Sequence, residues 1–164
     1  MLQVLLVDDE PFILQGLAML IDWEKEGFTL AGTAANGLEV IAFLEKTQVD
    51  LIIADIKMPA MTGIELLEKI RAEHISDAYF IILSGYSDFE YARKAITLGV
   101  NDYLLKPVSS RDILEAVDRS KAQILECRAR RIERQSHSIT QRELFFSNLY
   151  SGILMGPAQM LQRA

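Results

Sequence analysis

Short apolar runs rich in Val, Ile and Leu alternate five times with segments whose apolar residues recur at helical spacing. The runs read as strands at Gln3 to Val7, Phe28 to Ala34, Leu51 to Ala54, Tyr79 to Leu83 and Asn101 to Leu105. Most are apolar at nearly every position, as expected of strands buried on both faces. Strand alternating with helix predicts an α/β fold, a five-stranded parallel sheet with helices on both sides.

The helices mark their own ends. Thr62 with Glu65, and Ser87 with Glu90, have the spacing at which two side chains satisfy free backbone N–H groups at a helix start. Asn36 is placed to cap a helix running to about Lys46, and Pro11 occupies a first-turn position where its missing N–H costs little. Gly99, just past Leu98, suits the left-handed residue that ends a helix.

The fifth helix shows no such stop. From Ser110 neither Pro nor Gly intervenes until Gly152, and Leu125, Ile132, Ile139 and Phe146 recur every seven residues, with Ala122, Ala129 and Ser136 between them. That spacing predicts an extended C-terminal helix carrying a thin coiled-coil seam, although Glu143 falls on the same stripe and the polar SHSIT stretch around His137 weakens it. A solvated helix with scattered apolar residues is the alternative. The following LFFSNLYSGILM is too short to span a bilayer and reads as the start of another domain or a surface that expects a partner. The expected organisation is a folded domain over residues 1–120, a helical linker over 121–150, and the beginning of a truncated further region over 151–164.

Charge divides at the same place. Residues 1–120 hold 10 Lys and Arg against 20 Asp and Glu, whereas residues 121–164 hold 7 against 3. An acidic body argues against nucleic-acid binding by that body. The basic stretch RARRIER is read as arginines on a solvated helix in preference to a DNA contact. Cys127 is the only cysteine, so no disulfide framework is available. The first residues lack the pattern of an export signal and no apolar run approaches membrane-spanning length, which makes the cytoplasm the expected location and gives no reason to expect a membrane partner.

The candidate chemistry sits at strand ends. Asp8, Asp9 and Glu10 follow the first strand, Asp55 the third, Ser84 the fourth, and Lys106 with Pro107 the fifth. Two carboxylates about 4 Å apart repel by roughly 4 kcal/mol at an effective dielectric of 20, so the acids call for a cation. In an open parallel sheet the carboxyl ends of the strands converge on one ligand-binding edge. Collected there, these groups suit phosphoryl transfer to a carboxylate. Asp9 and Asp55, a backbone carbonyl near Lys57, and Asp8 through water offer the oxygen ligands a small hard divalent cation takes. Asp55, at the end of a buried strand with the loop IKMPAMTG after it, is the nucleophile; Lys106 neutralises charge and Ser84 donates to the new phosphoryl oxygen. Met58 and Met61 read as packing, and His74 and His137 as solvated side chains without ligand spacing.

VLLVDDEP, DLIIADIKMPAMTGIELL, IILSGYSD and NDYLLKP together resemble the receiver domains of two-component response regulators, in order and at matching separations over roughly residues 1–120. The resemblance implies the flavodoxin-like strand order 2-1-3-4-5. It also implies that Asp55 accepts phosphate from a sensor histidine kinase, with only autophosphorylation and slow autodephosphorylation as intrinsic activities. Asp8, Asp9 and Asp55 would hold Mg²⁺, and Ser84 and Lys106 would read the phosphoryl group. Tyr103 would be the aromatic that swings inward with Ser84, and the Lys106–Pro107 bond would be cis; Lys57 and Tyr86, close in sequence to Asp55 and Ser84, are expected to influence the phosphate's lifetime. The stretch from Ser84 is similar to regulators whose C-terminal half is an AraC-type DNA-binding module, so DNA contact is expected only through a region beyond residue 164, and the phosphorylated chain is expected to act as a homodimer.

Three other readings are open to these residues. A Mg²⁺-dependent phosphohydrolase with an aspartyl-phosphate intermediate would use similar groups, but its Asp-x-Asp strand end is absent. A flavin or nucleotide module would need the Gly-rich first turn that is replaced here by acids. A purely structural module would not need the complete set.

Overall fold

The computed structural model describes residues 1–85 and 89–154, except for the side chains of 89 and 150–154. Among them, strands and helices alternate: β1 (Leu2–Val7), α1 (Pro11–Leu20), β2 (Phe28–Ala34), α2 (Gly37–Lys46), β3 (Leu51–Asp55), α3 (Gly63–Ala72), β4 (Tyr79–Ser84), α4 (Phe89–Thr97), β5 (Asp102–Leu105) and α5 (Ser110–Leu154). All four strand pairings are parallel, in the order β2-β1-β3-β4-β5. This is the flavodoxin-like order. Met1–Ile124 forms one compact unit and the chain from Leu125 a second.

Strand periodicity builds two cores from one sheet. Leu5, Val7, Ile52, Ala54, Phe80 and Ile82 face one side, where they pack with Val40 of α2, Ile64, Leu67 and Ile70 of α3, and Ala95 of α4. Their neighbours Val4, Leu6, Leu51, Ile53, Ile81 and Leu83 face the other, against Leu17 of α1 and Ile113, Ala116 and Val117 of α5. Successive strand residues point to opposite faces, so each central strand must be apolar throughout. β2 lies at an edge, and only its ends, Phe28 and Ala34, are buried.

The caps behave as the spacing predicts. Asn36 accepts the Glu39 N–H at 2.9 Å and α2 ends at Lys46; Thr62 accepts the Glu65 N–H at 3.1 Å and α3 begins at the next residue. Gly99 closes α4 with φ +81°, its N–H donating to the Ile96 carbonyl and that of Val100 to the Ala95 carbonyl. These paired bonds need a left-handed residue between them, which Gly adopts without a Cβ penalty. The predicted start at Ser87 lies outside the described residues.

Four strand ends differ from the sequence reading by one residue, the first being the start of β1 at Leu2 in place of Gln3. Asp55 and Ser84 belong to the ladder, paired in register with Leu83 and Leu105. Asn101 precedes β5 but still ties to β4, donating its N–H to the Phe80 carbonyl and accepting the Phe80 N–H on its side-chain oxygen.

Candidate functional site

β1 and β3 are adjacent and parallel, with Val7 opposite Ala54, so the next residues of both strands emerge side by side. Asp8, Asp9 and Asp55 therefore meet. One carboxylate oxygen from each lies within 4.8 Å of the others. Asp8 is fully buried and Asp55 nearly so, whereas Asp9 is exposed.

Lys106, carried in from the end of β5, resolves the repulsion. Its Nζ lies 3.3 Å from Asp8 Oδ2 and 3.2 Å from Asp55 Oδ1. The Lys106 N–H donates to the Ser84 carbonyl at 2.7 Å, which anchors the backbone below the ammonium, and the Lys106–Pro107 bond is cis, as the resemblance implies. Asp8 also accepts the Glu10 N–H on Oδ1 at 2.9 Å. It thus supports the turn into α1 and faces the lysine at once.

Asp55 is held by its other surroundings. Oδ1 accepts the Ile56 N–H at 2.9 Å as well as Lys106, and among the described residues Oδ2 accepts no hydrogen bond. Burial pushes the Asp55 carboxyl above its ordinary value; Lys106 pulls it down, and the charge of Asp8 adds to the upward push. For Lys106, burial disfavours the ammonium, but Asp55 and Asp8 outweigh it and hold the amine above its ordinary value. The group stays charged while its neighbours do.

Ser84 is fully buried at the end of β4, and its hydroxyl donates to the Gly85 carbonyl at 3.2 Å. Its oxygen also meets the hydroxyl of Tyr103, which is half-buried against the α2, α3 and α4 side of the sheet. Lys57 is exposed in the loop after β3. Met58 and Met61 pack into the core, and His74 and His137 are exposed. Tyr86 lies outside the described residues.

One positioning residue escapes a reading of chemical groups. A Cβ on Gly63 would lie 2.5 Å from the backbone oxygen of Asp55, and the Gly63 N–H donates to the Ile56 carbonyl at 2.9 Å. Only Gly lets the first turn of α3 approach the strand end that presents Asp55. Its signal is a glycine at the first helical position, directly after a capping threonine.

A family model described as the response regulator receiver domain matches residues 4–118. The chain is 36% identical over 163 residues to the transcriptional regulatory protein YesN of Bacillus subtilis, covering 98% of this chain and 44% of that protein. It is 42% identical over 108 residues to the transcriptional regulatory protein HptR of Staphylococcus aureus, covering 66% and 42%. The chain thus spans under half the length of these curated relatives. Among solved structures, the receiver domain of AraT, a response regulator from Geobacillus stearothermophilus, superposes with a TM-score of 0.70 at 33% identity, covering 77% of this chain and 98% of that one. A two-component transcriptional regulator AraC from Clostridium phytofermentans gives 0.72 at 33% identity, covering 79% and 99%. Sequence match, strand order and fold similarity agree over the same stretch, and the chain belongs to the response regulator receiver domains of two-component signalling.

Proposed function

We propose that Asp55 accepts a phosphoryl group from a sensor histidine kinase and that the modified domain switches the output of a longer transcriptional regulator. The observation that carries this reading is the single ammonium of Lys106 set within 3.3 Å of two carboxylates from different strands, with a third acid beside them. A carboxylate oxygen of Asp55 attacks phosphorus; a P–O bond forms while the donor's P–N bond breaks and its electron pair returns to the imidazole. Small phosphodonors would be used in the same way, and hydrolysis of the acyl phosphate would be slow.

The three acids fit a hard divalent cation, because they are oxygen donors close enough to share one ion. Magnesium held by Asp8, Asp9, Asp55 and the Lys57 carbonyl would supply positive charge against the transferring oxygens. Lys106 supplies charge from the protein itself and holds Asp55 by one oxygen, leaving the other open among the described residues. Ser84 turns its O–H from the Gly85 carbonyl to a phosphoryl oxygen and then accepts a hydrogen bond from the Tyr103 hydroxyl. That exchange couples Asp55 to the face of α4 and β5.

The names of the relatives support transcriptional output, and the share of their length that this chain spans leaves room for an AraC-type DNA-binding region after it. Among the described residues no helix is long and apolar enough to cross a membrane, and a cytoplasmic location suits this role. Intact-mass analysis after acetyl phosphate and Mg²⁺ tests the proposal. One added phosphoryl group is expected on the native chain and none on Asp55→Asn; equal labelling of the two would overturn it.

A further inference from the structure

α5 carries an apolar stripe that no described residue of the second unit covers. Leu125, Ile132, Ile139 and Phe146 are 47%, 64%, 56% and 62% exposed, at intervals of seven residues. Large apolar side chains in that register form the seam of a coiled coil, and taking them as d positions places Ala129, Ser136 and Glu143 at a.

The flanking charges select the occupant. With this register Glu126, Glu133 and Thr140 fall at e, and Arg128, Gln135 and Arg142 at g. In a parallel pair each g residue faces the e residue five positions on in the other helix, which sets Arg128 opposite Glu133 and Gln135 opposite Thr140. Because the arrangement is symmetric, each copy supplies both members. An antiparallel pair would instead bring g against g and e against e, setting arginine against arginine and glutamate against glutamate. Small residues at a would admit either direction; the charges admit one. We propose that α5 pairs with a second copy of this chain as a parallel, in-register coiled coil through Leu125, Ile132 and Ile139, with orientation set by Arg128 and Glu133.

The seam has one fault. Glu143 at a sets two carboxylates against each other across the axis, so pairing is strong near Leu125 and weakens toward Phe146. Cys127 falls at f, on the outside of the pair, and is exposed. It therefore serves as a built-in control. The inference stands on α5 and not on Asp55, so its failure would leave the phosphoacceptor reading intact.

Sedimentation equilibrium of the full chain, with far-ultraviolet circular dichroism to confirm folding, tests it. A concentration-dependent dimer is expected. Arg128→Glu and Glu133→Arg should each weaken it about tenfold, through two like-charge pairs in each case. The double exchange should restore it, and mixing the two single variants should give a heterodimer. Glu143→Leu should tighten the pair. Under diamide, which takes up the hydrogens of two thiols, Ala129→Cys in a Cys127→Ser background should form a cross-linked dimer, whereas the native Cys127 should not. A monomer at every concentration, single exchanges that leave the dimer unchanged, or cross-linking through Cys127 in place of position 129 would each overturn the proposal.

Discussion

The two ends of the sheet treat polar groups in opposite ways. At the end where strands begin, polar atoms are spent on the backbone: Asp50 accepts the Gln3 N–H at 2.7 Å and Asn101 accepts the Phe80 N–H at 2.8 Å. Arg71, from the last turn of α3, donates to the Ser76 and Ala78 carbonyls and to the Asn101 side chain. At the end where strands finish, charges face one another. Asp8 and Asp55 share a lysine, Asp9 stands exposed beside them, and one oxygen of Asp55 remains uncommitted among the described residues. Side chains matched to fixed backbone partners stabilise a fold, whereas an excess of like charge can be relieved only by something that binds or modifies it. The first end is structural and the second is the one expected to respond to ligand.

That contrast yields expectations of decreasing size. Gly63→Ala at the carboxyl end should cost about 3 kcal/mol in urea unfolding and also impair phosphoryl labelling, because the added Cβ must displace the backbone that presents Asp55. Arg71→Ala at the opposite end should cost about 2 kcal/mol, since it takes a donor from the Ser76 and Ala78 carbonyls and one of two from the Asn101 oxygen, but labelling of Asp55 and stabilisation by Mg²⁺ should survive. Labelling lost with that variant would show that the two ends are not independent.

Asp55→Asn should change stability in the other direction. The folded state holds the Asp55 carboxyl above its ordinary value, so ionisation removes stability as pH rises from the ordinary carboxylate value through the raised one. Above that window the variant should be the more stable protein without Mg²⁺. Added Mg²⁺ should raise the melting temperature of the native chain but not of Asp9→Asn; an equal rise in both would remove Asp9 from the ligand set. Smallest of all, Tyr103→Phe should cost about 1 kcal/mol or less by removing the hydroxyl that meets Ser84, with labelling intact and any effect confined to the response of the α4 and β5 face.

Much of this architecture is legible in residue order alone. Unbroken apolar runs mark strands buried on two faces, and Asn36, Thr62 and Gly99 mark helix ends through hydrogen bonds made within a few residues. Local chemistry of that kind depends only on neighbours along the chain. The candidate site was legible as a list because acids, a hydroxyl and an amine after apolar runs have few structural uses in such numbers. The double role of Asp8 and the meeting of Ser84 with Tyr103 were not, since each joins groups that chain order leaves unrelated.

Residue order was enough to say where strands and helices lie and which side chains carry charge, because propensity, capping and periodicity act over a few residues. Which acids share Lys106 and which oxygen of Asp55 faces it follow from parallel pairing of β1, β3, β4 and β5. Those are distances across the sheet between residues as far as 98 positions apart, and they exist only once the strands are in register.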